Sequence, residues 1–217
     1  MVFRNRQHAG RLLAQKLKSR HIKPDIVFGL ARGGVVVAAE IAAAFKVPLD
    51  VLVVRKISPP GNPEFAIGAI AAGTAVWWDE NVVHRLGLSP QWQKQQINDK
   101  KIEISEYLAN ISIPKKTTLS RMKFRNIVLA DDGAATGATM MAAIGAVRDG
   151  FQTGVSWRST VALPVASTDA AAKIQSQADK TVILDIDPDF RAVGQYYREF
   201  SQVSWEEVRQ LLIQFKL

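Results

Sequence analysis

The segment Asn126 to Thr139, NIVLADDGAATGAT, constrains the fold more than any other stretch of the chain. An apolar run stops at Asp131 and Asp132, passes through small residues and enters an Ala-rich segment. This pattern predicts a buried parallel strand, a tight loop and the first turn of a helix. Small side chains leave the loop N–H groups open, and the helix directs the positive end of its dipole at them. Gly133, Ala134, Ala135, Gly137 and Ala138 thus suit a phosphate monoester, with Thr136 and Thr139 adding hydroxyl donors. Asp131 and Asp132 answer a different demand, because carboxylates accept hydrogen bonds and repel phosphate. A diol beside a phosphate satisfies both, and a ribose phosphate has that shape.

Two common nucleotide loops do not fit. A mononucleotide P-loop needs Lys and Ser/Thr after its last glycine, whereas Gly137 is followed by Ala138 and Thr139. The dinucleotide pattern G-x-G-x-x-G is absent here and in the second glycine-rich stretch, Gly29-Leu30-Ala31-Arg32-Gly33-Gly34. That stretch follows the short apolar run Asp25 to Phe28, so it falls at the carboxyl edge of a strand, where open α/β sheets bind ligands. Glycines there let the backbone approach a ligand, and Arg32 can grip phosphate through two parallel hydrogen bonds. Arg55 and Lys56 follow the apolar run Leu49 to Val54 in the same manner, as ligand-facing cations or as a solvated strand end.

Along the chain, helices are expected over Arg4–Ser19, Val35–Phe45, Ser89 to about Asn110, after the acidic loop to near Gly150, Thr168–Gln177 and Trp205–Leu212. Strands are expected at Asp25–Gly29, Leu49–Val54, Asn126–Ala130, Val155–Pro164 and Thr181–Asp185, with a hairpin around Gly73. The Ser89–Asn110 helix carries Trp92, Ile97, Ile104 and Leu108 on its inner stripe. Alternating strands and helices predict an α/β fold, a mainly parallel twisted sheet with helices on both faces. The aromatics from Phe190 to Phe200 either stack on a flat acceptor or anchor the C-terminal helix to the sheet.

A chain of 217 residues buries one good core, so one domain, 1–217, is expected, with 56–125 an elaboration of it. No apolar run is long enough to span a bilayer, and the first residues lack the pattern of a signal peptide. The absence of cysteine excludes disulfides and thiolate metal sites and makes a cytoplasmic setting the default. A net charge of +8 attracts anions, which suits a polyphosphate substrate and nucleic acid alike.

The Asp131-to-Thr139 segment resembles the phosphoribosyl pyrophosphate (PRPP) motif of type I phosphoribosyltransferases, in which an apolar strand, two acids and a T-G-x-T loop recur in this order. Gly29 to Val35, Val53-Val54-Arg55-Lys56 and Gly61-Asn62-Pro63-Glu64 extend the likeness over nearly the whole chain. The resemblance implies transfer of a 5-phosphoribosyl group from PRPP to a nitrogen acceptor, with release of pyrophosphate. It also implies Mg²⁺, contacted by Asp131 and Asp132 only through substrate or water; a homodimer is usual in the family. Gly29 to Gly34 would form the pyrophosphate loop, with a non-proline cis peptide at Leu30–Ala31 or Ala31–Arg32. Asp131, Asp132, Arg32 and Lys56 would be catalytic, with Ala31, Gly33, Arg55 and Gly133 to Thr139 binding substrate. The Pro/Gly-rich loop after Lys56 takes the position of a lid, and the residues after the last strand that of a small C-terminal hood; the lid sequence departs from the orotate and purine enzymes. The alternative is a catalytically silent PRPP- or nucleotide-sensing regulator whose basic surface binds nucleic acid.

Overall fold

The computed structural model describes residues 1–62, 65–71, 75–111, 124–150 and 157–215. Its centre is a five-stranded parallel sheet in the order β2-β1-β6-β7-β8. The strands are β1 (Ile26–Leu30), β2 (Leu49–Leu52), β6 (Asn126–Ala130), β7 (Arg158–Ser167) and β8 (Lys180–Asp187). β1, β6 and β7 are buried along nearly their whole length, as parallel strands covered on both faces must be. Alternate residues feed two separate core layers. Ile26, Phe28, Ile127, Leu129, Val161 and Leu163 face helices α5 (Ala138–Gly150) and α6 (Thr168–Gln175). Val27, Val128, Ala130 and Ala162 face α1 (Arg6–Ser19), α2 (Gly33–Phe45) and α7 (Trp205–Gln214). This is the period-two pattern of a strand dividing its side chains between two layers of helix.

A second sheet, antiparallel and three-stranded, comprises β3 (Val54–Ile57), β4 (Gly68–Ala71) and β5 (Val76–Trp78). It lies between α5 on one side and α4 (Pro90–Ile111) on the other, where Ile70 meets Ile104. Here the expected second strand needs correction. Leu49–Val54 is not one strand: the parallel ladder ends at Leu52, whose carbonyl takes the Ala31 N–H at 2.9 Å, and Val54 opens the antiparallel sheet. Arg55 and Lys56 therefore lie within a strand, on opposite faces of its pleat, and do not follow one together. An unbroken apolar run, Val51 to Val54, conceals the switch.

The hairpin expected near Gly73 exists as β4 and β5, though Gly73 itself lies outside the described residues, as do Pro63, Glu64 and most of the basic stretch Lys115–Arg125. A short helix, α3 (Glu80–Arg85), was not expected; the Asp79 carboxylate caps it by accepting the Val82 N–H at 3.3 Å. Of the inner stripe expected for α4, Ile104 is buried and Ile97 and Leu108 pack against the core, while Trp92 meets Trp78 of β5 with ring centroids 6.2 Å apart. No described helix is long and apolar enough to cross a membrane.

Candidate active site

Two loops meet at the carboxyl edge of the parallel sheet, between the adjacent strands β1 and β6. The first runs from Ala31 into α2 and contains one cis peptide, Ala31–Arg32. The second runs from Asp131 to the start of α5. Their contact demands glycine. A Cβ on Gly33 would stand 2.0 Å from Asp132 Oδ2, and one on Gly34 2.7 Å from both Asp131 Oδ1 and the Ala130 carbonyl. Both positions lack room for any side chain, so the glycines bring the start of α2 directly onto the two acids.

Within the second loop, the Ala134 N–H donates to the Val165 carbonyl and the Ser167 N–H to the Ala134 carbonyl, each at 3.0 Å. The Ser167 hydroxyl donates to the Ala135 carbonyl at 2.6 Å. Carbonyls are thus drawn toward β7. The N–H groups of Gly133, Ala135, Thr136 and Gly137 have no partner among the described residues. Gly137 adopts φ +78°, and the Ala138 N–H reaches the Thr136 hydroxyl at 3.4 Å as α5 begins. The uncommitted amides of Ala135, Thr136 and Gly137 thus follow one another next to a helix N-terminus, an arrangement that suits an anion.

The two carboxylates differ sharply. Asp131 accepts the Asp132 N–H at 2.9 Å. Burial raises its carboxyl well above the usual range and the adjacent Asp132 adds to this, while Lys56 pulls it down. Asp132 is instead held through both its side chain and its backbone carbonyl. Arg6 Nε donates to its Oδ2 at 2.7 Å, with both side chains largely buried. Arg6 also donates to the Ser201 carbonyl at 2.8 Å and stacks its guanidinium 3.8 Å from the Phe200 ring. The Tyr197 hydroxyl donates to the Asp132 backbone carbonyl at 2.6 Å; burial pushes that phenol's ionisation upward. On the far side, Val193 packs against Gly133, where a Cβ would come within 2.8 Å of it.

Tyr196 and Tyr197 are thus interior side chains of the hood, anchoring it to β8 and to the acidic loop. Arg55 is turned away from Asp131, its guanidinium lying 3.6 Å from the Tyr107 ring and 3.6 Å from Glu103 on α4. Arg32 lies 5.8 Å from the Trp205 ring, which in turn meets Tyr107 at 5.0 Å. The structure therefore brings Gly33 and Gly34 onto Asp131 and Asp132 at the head of the 133–139 loop, while Arg32 lies beside Trp205 and Arg55 is engaged with Tyr107 and Glu103. Sequence reasoning missed Arg6. A signal existed: α1 opens with a cation and has no acid in its first turn, against the preference of the helix dipole.

A parallel α/β sheet thus carries open loop amides and an acidic pair together at its carboxyl edge. The chain belongs to the phosphoribosyl transferase family: the family's domain model matches residues 3–150. Two curated Mycobacterium tuberculosis proteins, from different strains and with phosphoribosyl transferase in their names, are each 37% identical over 207 residues, 95% of this chain. The chain spans about half the length of these relatives, 45% in each case. The crystal structure of TT1426 from Thermus thermophilus superposes with a TM-score of 0.80 at 36% identity, covering 99% of both chains.

Proposed function

We propose that the chain transfers the 5-phosphoribosyl group of PRPP to a nitrogen acceptor and releases pyrophosphate. The observation that carries this reading is the pairing of uncommitted amides at Gly133, Ala135, Thr136 and Gly137 with the two consecutive carboxylates that immediately precede them. The amides, with the hydroxyls of Thr136 and Thr139, take the 5′-phosphate of the ribose. Asp131 faces the ribose hydroxyls. Asp132, through the oxygen not bound by Arg6, adds a second acceptor.

As the bond from the anomeric carbon to pyrophosphate lengthens, positive charge grows on the ribose ring. Carboxylates fixed beside that ring stabilise the charge without rearranging, because Arg6, Tyr197 and the glycine contacts have already positioned them. Arg32 and Lys56, with the backbone of Ala31 and Gly33, bind the departing pyrophosphate. Arg55 supports Lys56 by fixing β3 to α4. The donor set also fits Mg²⁺ in an indirect role. Among the described residues it offers two carboxylates, one already paired with arginine, so an ion here would take most of its ligands from substrate and water. When bound, Mg²⁺ would neutralise pyrophosphate charge.

The experiment is incubation of the protein with PRPP, Mg²⁺ and a panel of purine, pyrimidine, pyridine and amine acceptors, read out as pyrophosphate. Acceptor-dependent release supports the transferase. Tight PRPP binding without release from any acceptor would favour a sensing protein.

A further inference from the structure

At the opposite, amino edge of the sheet, three adjacent parallel strands begin with polar or basic residues: Asn126 on β6, Arg158 on β7 and Lys180 on β8. Register puts them on one face. Asn126 stands opposite Arg158, and Thr160, two residues along β7, stands opposite Lys180. Partners in a parallel ladder project to the same side, and so do residues two apart on one strand. Farther along the same face come Val128, Ala162 and Val182, the apolar floor beneath α1 and α2. The floor therefore turns polar where α1 ends, and the turn His21–Lys23 closes over it to form a cleft of about 180 Å³.

The groups lining this cleft are uncommitted. Among the described residues, His21, Lys23, Arg158 and Lys180 form no ion pair. Thr160 is only 5% exposed, yet its hydroxyl has no hydrogen-bond partner among the described residues and is not sealed from solvent. The acids nearest in sequence are already engaged. Asp25 accepts the N–H groups of Arg125 and Asn126 at 2.8 Å each, and Asp179 accepts the Ser159 N–H at 2.7 Å and hydroxyl at 2.9 Å. Arg20 is engaged too, donating to the Thr181 carbonyl.

We propose that this cleft is a second anion site that binds a small phosphate- or diphosphate-bearing ligand. Lys23, Arg158 and Lys180 supply charge, and the Thr160 hydroxyl and Asn126 amide supply directed donors at its floor. Phosphate matches this set because it offers several acceptor oxygens to donors arriving from different elements. The volume holds one or two phosphate groups and excludes a duplex. Five residues of β6, about 3.3 Å each, separate the site by roughly 16 Å from the acidic loop, so it is distinct from the proposed PRPP site.

The test follows backbone amide NMR shifts of the full chain during titration with inorganic phosphate, then diphosphate, at ionic strength held constant with chloride. The proposal expects saturable shifts at Asn126, Thr160 and Lys180 that an Arg158→Gln/Lys180→Gln variant weakens about tenfold or more. Shifts at Gly133 to Thr139 should persist in that variant, which keeps this result separable from the transferase reading. Thr160→Val, which removes one hydroxyl with little change of shape, should weaken the same shifts more modestly. Absence of saturable shifts at the strand starts, or equal shifts from chloride alone, would overturn the proposal. Tighter binding of a single-stranded oligonucleotide than of either anion at these residues would overturn it in favour of a nucleic-acid surface.

Discussion

Asp131 and Asp132 are neighbours in the chain with opposite circumstances: one is desolvated beside a like charge, the other neutralised by Arg6. The raised ionisation of Asp131 means that the folded state favours its protonated form. Its contribution to stability is then complete below the ordinary carboxylate value of 3.8 and is lost as pH rises through the higher folded value. Asp131→Asn should therefore make the ligand-free protein more stable at neutral pH and flatten that loss, as urea unfolding across pH 4 to 8 would reveal. The same change should weaken PRPP by about 1.5–3 kcal/mol, since it removes a charged acceptor. No change in PRPP affinity would make Asp131 a turn former only. Arg6→Met should instead destabilise the protein by about 3 kcal/mol, because it leaves the Asp132 charge largely buried and unpaired. Urea midpoints within a few tenths of the parent would mean that this pair contributes little.

Elements enter the account mainly through their ends. Asp79 caps α3 and reaches Lys173 on α6 at 2.9 Å, linking the small sheet to the large one. The hydrogen bond from Lys173 holds its carboxyl below the usual value, so this stabilisation is present above the unfolded value of 3.8 and lost as pH falls through the folded one. Asp79→Ala should cost about 1–2 kcal/mol at pH 7, the sum of a cap and a half-exposed ion pair, and less in acid. An equal cost at pH 3 would contradict that assignment. The strand–loop–helix around Asp131 was legible in the sequence because its signals are local: an apolar run, paired acids, small residues. The division of Leu49–Val54 between two sheets was not, since apolar residues bury equally well in either and hydrogen-bond partners leave no local mark. Arg6 escaped for a related reason. Its partner is 126 positions away in sequence, so only its misfit at a helix N-terminus betrayed it. Tyr197 likewise gave no sign that its hydroxyl would reach back to the acidic loop.

At the scale of the whole molecule, a parallel sheet sets two glycine-dependent loops side by side, and a chain with net charge +8 surrounds a site shaped for anions. PRPP with Mg²⁺ should raise the melting temperature, because a ligand that binds only the native state must stabilise it, and ribose 5-phosphate should do so less. Unchanged melting at millimolar PRPP would count against the site as a whole. In the proposed transferase the 31–34 loop binds pyrophosphate and the 131–139 loop binds ribose phosphate. Calorimetric titration of Arg32→Ala and Thr136→Val with PRPP and with ribose 5-phosphate tests it most directly. Arg32→Ala should weaken PRPP by at least tenfold and leave ribose 5-phosphate nearly unchanged, whereas Thr136→Val should weaken both. Equal losses for the two ligands on Arg32→Ala would contradict the division of the site and remove the pyrophosphate loop from the account.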